Sequence, residues 1–467
     1  TDLSVPIEET PRFLPPMLDG RFSGTMALTE PGQGSALGDL STVARPAADG
    51  SYRVFGQKMF ISGGDHELTE NIVHLVLARI EGAPPGVKGI SLFLVPKFLV
   101  NEDQGIGPRN DVALAGLLHK MGYRNTTSTV LNFGEQGGAV GYLLGEAHKG
   151  LGYMFQMMNE ARIGVGLGAA SLAVQSYLHA LDYARERPQG RLPDSKNPLA
   201  PQVRIIEHAD VRRMLLQQKV YAEGSLALCL YASSLVEDAH SAATPQARHD
   251  AAELLDLLTP MVKSWPSRYG VIASDIGIQV LGGAGYTREY PLEQYYRDNR
   301  LNPIHEGTEG IQGLDLLGRK LGPKGGEGYQ LFLDVVRNSL VEARDDAACA
   351  PLAGALQEAL GILERVTADL QAQVAADATA GLANATAYLD LFGRVLVGWL
   401  WLRQALLASR ALNHPGLSAD NSEAHFYQGK LQAARYFMDW ELAPLEACAR
   451  LLSAGNRLCL DMQDRWF

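Results

Sequence analysis

Basic charge is in deficit in this chain of 467 residues: 41 Lys and Arg stand against 52 Asp and Glu, a formal net charge of −11. That balance excludes a broad phosphate-backbone footprint, so nucleic acid is not an expected partner. A small anionic ligand, which needs only a few convergent donors, remains possible. Cysteine is scarce: Cys229, Cys349, Cys448 and Cys459 are scattered, with only the last two as close as eleven residues. No metal-spaced pair results, so the expectation is buried free thiols in a reducing compartment and no metal site. Long apolar runs are also missing. The opening TDLSVPIEETPRFLPP has no apolar signal-type core, and the most apolar stretch, Leu391 to Leu407, is interrupted by Arg394, Gly398 and Arg403. It predicts a buried amphipathic helix rather than a membrane span, in a soluble, cytoplasmic protein without a membrane partner.

The length points to two to four domains, and 46% hydrophobic with 20% charged residues predicts well-formed cores. Residues 1–24 carry a short helical pattern from Ile7 to Leu18 that Asp19-Gly20 stops; they are too few for a domain and read as the end of one. From Phe22 to about Phe133 the texture is short β-rich runs between turn signals. Val54-Phe55 follows Ala48-Asp49-Gly50-Ser51, Met59-Phe60-Ile61 precedes Gly63-Gly64, Ile72 to Ile80 alternates around His74, Ile90 to Val95 stops at Pro96, and Thr129 to Phe133 ends at Gly134. This predicts a β-barrel or sandwich domain over 25–148.

Helical texture follows over 149–321. Leu151 to Arg187 is rich in Gly164, Gly166, Gly168, Ala169 and Ala170, small residues that admit a close helix or, less commonly, a flat ligand. With Val211 to Leu235, Ala251 to Gly282 (kinked at Pro260 and Pro266) and a helix after Glu306, a four-helix bundle is expected. A Gly/Pro/Lys-rich linker over 322–328 then leads to an additional all-α domain over 329–467. Its expected helices are Gln330 to Ala348, Pro351 to Ala376, Leu382 to Leu412 and Ser422 to Ser453. The fold class is therefore α+β and multidomain.

The chemistry centres on Ile304-His305-Glu306-Gly307-Thr308-Glu309-Gly310-Ile311-Gln312, a carboxylate presented just before a helix running through Leu314, Leu317 and Leu321. Locally it reads as an acid at a helix start with Thr308 as N-cap. Upstream, Leu28-Thr29-Glu30-Pro31-Gly32-Gln33-Gly34-Ser35 places hydroxyls beside a Gly-permitted turn, suited to heterocycle carbonyls or a phosphate, though a plain turn is the commoner meaning. Lys58 to Gly64 sets Phe60 and Ser62 on one strand face, where an aromatic and a donor could meet a flavin ring; a half-buried strand is the alternative.

In order, LTEPGQGS, KMFISGG, NEARIGVG, ARER, QVLGGAGY and HEGTEGIQGLDLLGRK resemble the acyl-CoA dehydrogenases across roughly residues 10–321. The resemblance implies an N-terminal helical domain, a middle β domain and a helical bundle that bind FAD and oxidise an acyl-CoA thioester at its α and β carbons. It implies that Leu28, Thr29, Gly34 and Ser35 contact flavin, with Ser35 also at the acyl-CoA. Phe60 and Ser62 lie beside the isoalloxazine, where the family usually has Trp instead of Phe60. Asn159 and Arg162 match contacts to the CoA arm, and Arg187, Gln279, Gly282 and Gly283 match groups reaching the FAD of a neighbouring subunit, hence a homodimer or homotetramer. The family often has Asp before that Arg. Pro188-Gln189-Gly190 stands where an aromatic and Gly are common.

Glu306 matches the base, with Glu309 its nearest rival. Gly307 gives an N–H near the substrate carbonyl, Thr308 and Gly310 lie near the flavin, and His305 replaces a Tyr at the acyl pocket. An electron-transfer flavoprotein is the implied acceptor. The additional C-terminal domain, with FYQGKLQAARYFMDWEL, most resembles the subgroup containing 3-methylmercaptopropionyl-CoA dehydrogenase, which also includes enzymes for ordinary fatty acyl-CoAs. The sulfur substrate, from dimethylsulfoniopropionate degradation, is the leading expectation. The family's N-terminal helical domain is represented by little beyond residues 1–24; further chain before residue 1 is expected, a partner subunit being the alternative source of that pocket wall. A nucleic-acid-binding relative is disfavoured by the lack of a Lys/Arg run near the C-terminus, and an oxidase passing electrons to oxygen stays open.

Overall fold

The computed structural model describes residues 10–321, 326–418 and 420–467. The start of the first expected helix, 7–9, and most of the expected linker, 322–325, lie outside them. The chain divides into two compact units with the boundary after Glu160.

The first unit opens on α1 (Thr10–Leu18) and is otherwise β: β1 (Phe22–Ala27), β2 (Val43–Pro46), β3 (Tyr52–Ser62), β4 (Asn71–Ile80), β5 (Ile90–Pro96), β6 (Phe98–Val100), β7 (Ile106–Arg109), β8 (Val112–Leu117), β9 (Ser128–Phe133) and β10 (Ala139–Leu144). The sheet closes on itself. β4 pairs with β5, β5 with β10, β10 with β3, and short β2 bridges β3 back to β4. β1 extends this ring beside β4, and β9 then β8 extend it from β3, while β6 and β7 form a separate pair. Closure is how an antiparallel sheet removes its exposed edges.

Ile72 to Ile80 does not alternate as expected, since β4 is buried on both faces. Val76 and Ala78 join the barrel interior with Val54, Phe93 and Leu131, while Leu77 packs on the other side against Leu92 and Met154. Met154 belongs to the first turns of α2 (Gly150–Glu186).

The second unit is helical: the rest of α2, α3 (Ala209–Ser241), α4 (Pro245–Leu281), α5 (Leu292–Asn299), α6 (Glu309–Asp315), α7 (Gly326–Ala343), α8 (Ala350–Ala376), α9 (Ala378–Leu382), α10 (Ala385–Leu412), α11 (Ser422–Tyr436), α12 (Leu445–Ser453) and α13 (Leu458–Asp461). Helix α6 continues into a π-helical segment, Leu316–Lys320. Among the glycines of α2's small-residue stretch only Gly166 serves close helix packing, since a Cβ there would lie 2.2 Å from the Val262 carbonyl oxygen of α4 and 3.4 Å from Cys229 Sγ of α3, whereas Gly164 and Gly168 have open space beside them. Helix α4 runs on through Pro260 and Pro266.

One apolar core runs from Ala170 to Leu452, joining the bundle helices to the C-terminal ones. A Cβ on Gly313 of α6 would lie 2.8 Å from the Ala385 carbonyl of α10, so α10 seats directly on the helix that follows the Glu306 loop. Helix α10 departs from the amphipathic expectation. Among its residues only Arg403, Leu407 and Arg410 are exposed, because helices pack on nearly every side of it. It is long and apolar enough to cross a membrane by length and composition, but 78% of its most apolar window is buried inside the protein. Its Arg394 is accommodated by Asp390 and Glu441, each at 3.1 Å. The expected single helix Ser422 to Ser453 is broken: α11 passes into a π-helical segment, Phe437–Glu441, and Pro444 precedes α12, since proline cannot continue the hydrogen-bond ladder.

Candidate active site

In the first unit the turn after β1 is held from inside. Glu30 and Gln33 exchange backbone hydrogen bonds of 2.8 and 3.1 Å across Pro31-Gly32. The Glu30 carboxylate is buried, accepts from the backbone N–H and hydroxyl of both Ser41 and Thr42, and pairs with Lys58 Nζ at 3.0 Å. Lys58 is itself buried and donates to the Leu28 carbonyl at 2.9 Å, and the Met59 N–H reaches Thr29 O at 2.9 Å. Burial alone would raise the Glu30 pKa, but Lys58 and the hydroxyl donors outweigh it and hold the carboxyl at about 2; burial pushes the Lys58 ammonium down to about 8. The turn is thus fixed with Leu28 and Thr29 half-buried and Gly34 and Ser35 exposed. Glycine's backbone freedom is not what makes it, since neither Gly32 nor Gly34 has a left-handed φ.

Phe60 is pushed outward by strain. Lys58 and Ile61 both point inward although three residues apart, which a regular strand forbids. The register of β3 against β9 shifts between them, and Phe60 sits there at φ 59°, leaving its ring 61% exposed with Ser62 also outward. A bulky residue in that region costs on the order of 1–2 kcal/mol and persists where its surroundings demand it. Asn159, near the boundary, is half-buried.

In the second unit, α5 ends in turns braced by amides: Asn299 Nδ2 donates to Ala169 O at 3.2 Å, Asn302 Nδ2 to Asn299 Oδ1 at 2.9 Å, and His305 Nε2 lies 3.2 Å from Asn302 Oδ1. Burial, then Lys263, lowers the His305 pKa to about 4, so the ring is neutral. Glu306 and Gly307 follow at φ 53° and 91°. Glu306 is half-buried, and among the described residues nothing donates to its carboxylate. Burial raises its pKa, against the opposing pull of Arg162 and Lys263. The Gly307 N–H is likewise unengaged among the described residues. Thr308 caps α6, accepting from the Ile311 N–H at 3.4 Å, and Gly310 is half-buried in the first turn. The rival Glu309 lies 3.7 Å from the Arg268 guanidinium.

Arg162 is 3% exposed and paired with Asp315 at 3.1 Å, its Nε unpartnered among the described residues. Arg162 also lies within electrostatic reach of Glu306. Arg187, Gln279, Gly282 and Gly283 are all exposed, the first just past the end of α2 and the others around the end of α4. Two residues complete the Glu306 loop from within: Lys263, which the sequence did not single out, and Gln312, which closes the Ile304–Gln312 stretch but had no role assigned. Lys263 Nζ donates to the Gly307 carbonyl at 2.7 Å, and Gln312 Nε2 donates to the Glu306 carbonyl at 3.0 Å. The available signal for Lys263 was a lone cation inside the apolar run Leu257 to Trp265.

The arrangement can take a proton at a carbonyl-activated carbon: a poorly solvated, unpartnered carboxylate beside a free backbone donor suits a base paired with oxyanion stabilisation. Comparison with known proteins gives three consecutive matches. "Acyl-CoA dehydrogenase, middle domain" fits residues 25–135, "acyl-CoA dehydrogenase, C-terminal domain" fits 148–321, and "acetyl-CoA dehydrogenase C-terminal like" fits 332–463. The chain is similar to the 3-methylmercaptopropionyl-CoA dehydrogenase of Ruegeria pomeroyi, 38% identical over 448 residues that cover 96% of this chain and 74% of that protein. A broad-specificity linear acyl-CoA dehydrogenase of Mycobacterium tuberculosis is 39% identical over 436 residues, covering 89% and 69%. An acyl-CoA dehydrogenase of Bacillus anthracis, solved in complex with FAD, superposes with a TM-score of 0.74 at 22% identity, covering 98% of this chain and 72% of that one; at that identity the likeness speaks for the fold.

Proposed function

Because this chain belongs to the acyl-CoA dehydrogenase family of FAD-dependent oxidoreductases, we propose that it dehydrogenates an acyl-CoA thioester between its α and β carbons, with Glu306 as the base. The observation that carries this reading is the half-buried Glu306 carboxylate, raised in pKa by burial and without a donor, next to the unengaged Gly307 N–H.

The residues present fit FAD. In the first unit the Phe60 ring is held outward at the expense of backbone strain, with exposed Ser62 two residues on and the pinned Leu28–Ser35 turn tied to the same strand by the Met59 N–H on the Thr29 carbonyl at 2.9 Å, a surface suited to an aromatic heterocycle. Leu28, Thr29, Gly34, Ser35, Phe60 and Ser62 would hold the flavin there, and Thr308 and Gly310 would do so in the second unit. Bound FAD supplies the acceptor for the hydride that leaves the β carbon. Glu306 removes the α proton, and the Gly307 N–H holds the thioester oxygen as negative charge grows on it. Ser35 and Asn159 are assigned to the acyl-CoA, and neutral His305 to the acyl pocket. The exposure of Arg187, Gln279, Gly282 and Gly283 supports their reaching the FAD of a second subunit in a homodimer or homotetramer. An electron-transfer flavoprotein is the proposed acceptor.

For the acyl group, 3-methylmercaptopropionyl is the leading assignment, supported by the Ruegeria relative; the Mycobacterium relative supports a linear fatty acyl group instead. Anaerobic bleaching of the FAD-loaded enzyme by a panel of acyl-CoAs decides. Strong preference for the methylthio compound favours the first, an even response across straight chains favours the second, and absence of bleaching by every acyl-CoA rejects the reaction.

A further inference from the structure

From Leu257 to Gly270, α4 is buried at every residue except Arg268, and Lys263 lies within that run with its side chain 0% exposed. Placing an ammonium there carries a desolvation penalty that a Met of similar length would avoid. No carboxylate among the described residues pairs with it; its amine meets the Gly307 carbonyl at 2.7 Å. Gln312 Nε2 donates to the Glu306 carbonyl at 3.0 Å and reaches the Gly307 carbonyl at 3.4 Å. The two carbonyls so held belong to consecutive left-handed residues, at φ 53° and 91°, and the first is not glycine. A left-handed glutamate relaxes unless its neighbours over-determine it.

We propose that Lys263 is a positioning residue of the reaction: its ammonium, with the Gln312 amide, clamps the Glu306–Gly307 backbone and aims the Glu306 carboxylate. This rests on Glu306 being the base. Among the described residues, the charged groups that act on Glu306 are Arg162 from α2 and Lys263 from α4; Asp315 of α6 faces Arg162, Glu309 of α6 faces Arg268 and acts on Lys263, and the adjoining His305 is neutral. Arg162 is committed to Asp315 and Arg268 to Glu309. Lys263 is the remaining cation, and both it and Arg162 oppose the rise in Glu306 pKa that burial causes.

The two contributions separate by mutation. Lys263→Met removes clamp and charge; Gln312→Leu removes clamp alone. In stopped-flow flavin reduction of the FAD-loaded enzyme by its best acyl-CoA, both variants should reduce roughly 10- to 100-fold more slowly than wild type at neutral pH. Only Lys263→Met should move the acid limb of the pH profile, upward, because loss of a nearby cation raises the pH at which the base is free. If Lys263→Met does not fold, slow reduction with an unmoved limb in Gln312→Leu still supports the clamp. Wild-type rates and an unmoved limb in both variants overturn it, as does a wild-type rate in Gln312→Leu when it is the only variant that folds. Wild type that no acyl-CoA bleaches rejects the parent reading instead.

Discussion

Two glutamates near two buried lysines have opposite fates in the two units. Glu30 is met by Lys58 and by donors from Ser41 and Thr42, and its pKa falls to about 2; Glu306 has Lys263 nearby but no donor on its oxygens, and its pKa rises. Both lysines are pushed down to about 8, by burial first. The difference lies in where the ammonium points. Lys58 bonds the carboxylate itself, whereas Lys263 bonds a backbone carbonyl next to it and leaves the carboxylate free. A satisfied buried carboxylate is structure, and an unsatisfied one is available for chemistry.

The comparison breaks most visibly at Lys58. Lys58→Met strands Glu30 in the barrel and should destabilise the first unit by roughly 3–5 kcal/mol. Hydrogen exchange of the β3 and β4 amides is the readout, since all five tryptophans lie beyond Glu160 and report the second unit only. Native exchange rates in this variant would mean the pair does not hold the turn.

Acid should discriminate next. The folded Glu30 pKa is depressed, so its contribution is fully present above the unfolded value of 4.5 and is lost as pH falls toward about 2, an effect of roughly 3 kcal/mol on the first unit. Glu306 has the reverse sign: its folded pKa is raised, so ionising it costs stability as pH climbs above 4.5. Glu306→Gln should therefore stabilise the second unit at neutral pH, by a smaller amount, with the gain vanishing below pH 4.5. Denaturant melts followed by tryptophan fluorescence would detect it, and a destabilised variant would refute the assigned burial cost.

Much of this was legible from sequence. Turn signals gave the β-rich segment, and apolar periodicity gave the long helices of the bundle. The barrel's closing strand was not legible, because β2 is four residues and β10 is apolar but flanked by glycines. Helix α5 was missed because its residues, LEQYYRDN, are mostly polar. At the site, Glu306 stood out through its motif and the motifs around it. Left-handed backbone at Phe60 and Glu306 did not, since nothing in a Phe or Glu announces a positive φ, and tertiary clamps impose it. Glu30 and Lys58 belong to the motifs LTEPGQGS and KMFISGG, yet their pairing across 28 residues is a fact of the folded chain.

The most direct test of Glu306 as the base is anaerobic flavin bleaching by acyl-CoA in Glu306→Gln and Glu309→Gln, with FAD content confirmed in each. Glu306→Gln should retain FAD and lose bleaching by a factor of about 10²–10⁴, while Glu309→Gln, which removes a carboxylate paired with Arg268 and leaves that arginine its second partner Asp390, should bleach at close to the wild-type rate. Bleaching retained in Glu306→Gln, or lost in Glu309→Gln alone, would contradict the account.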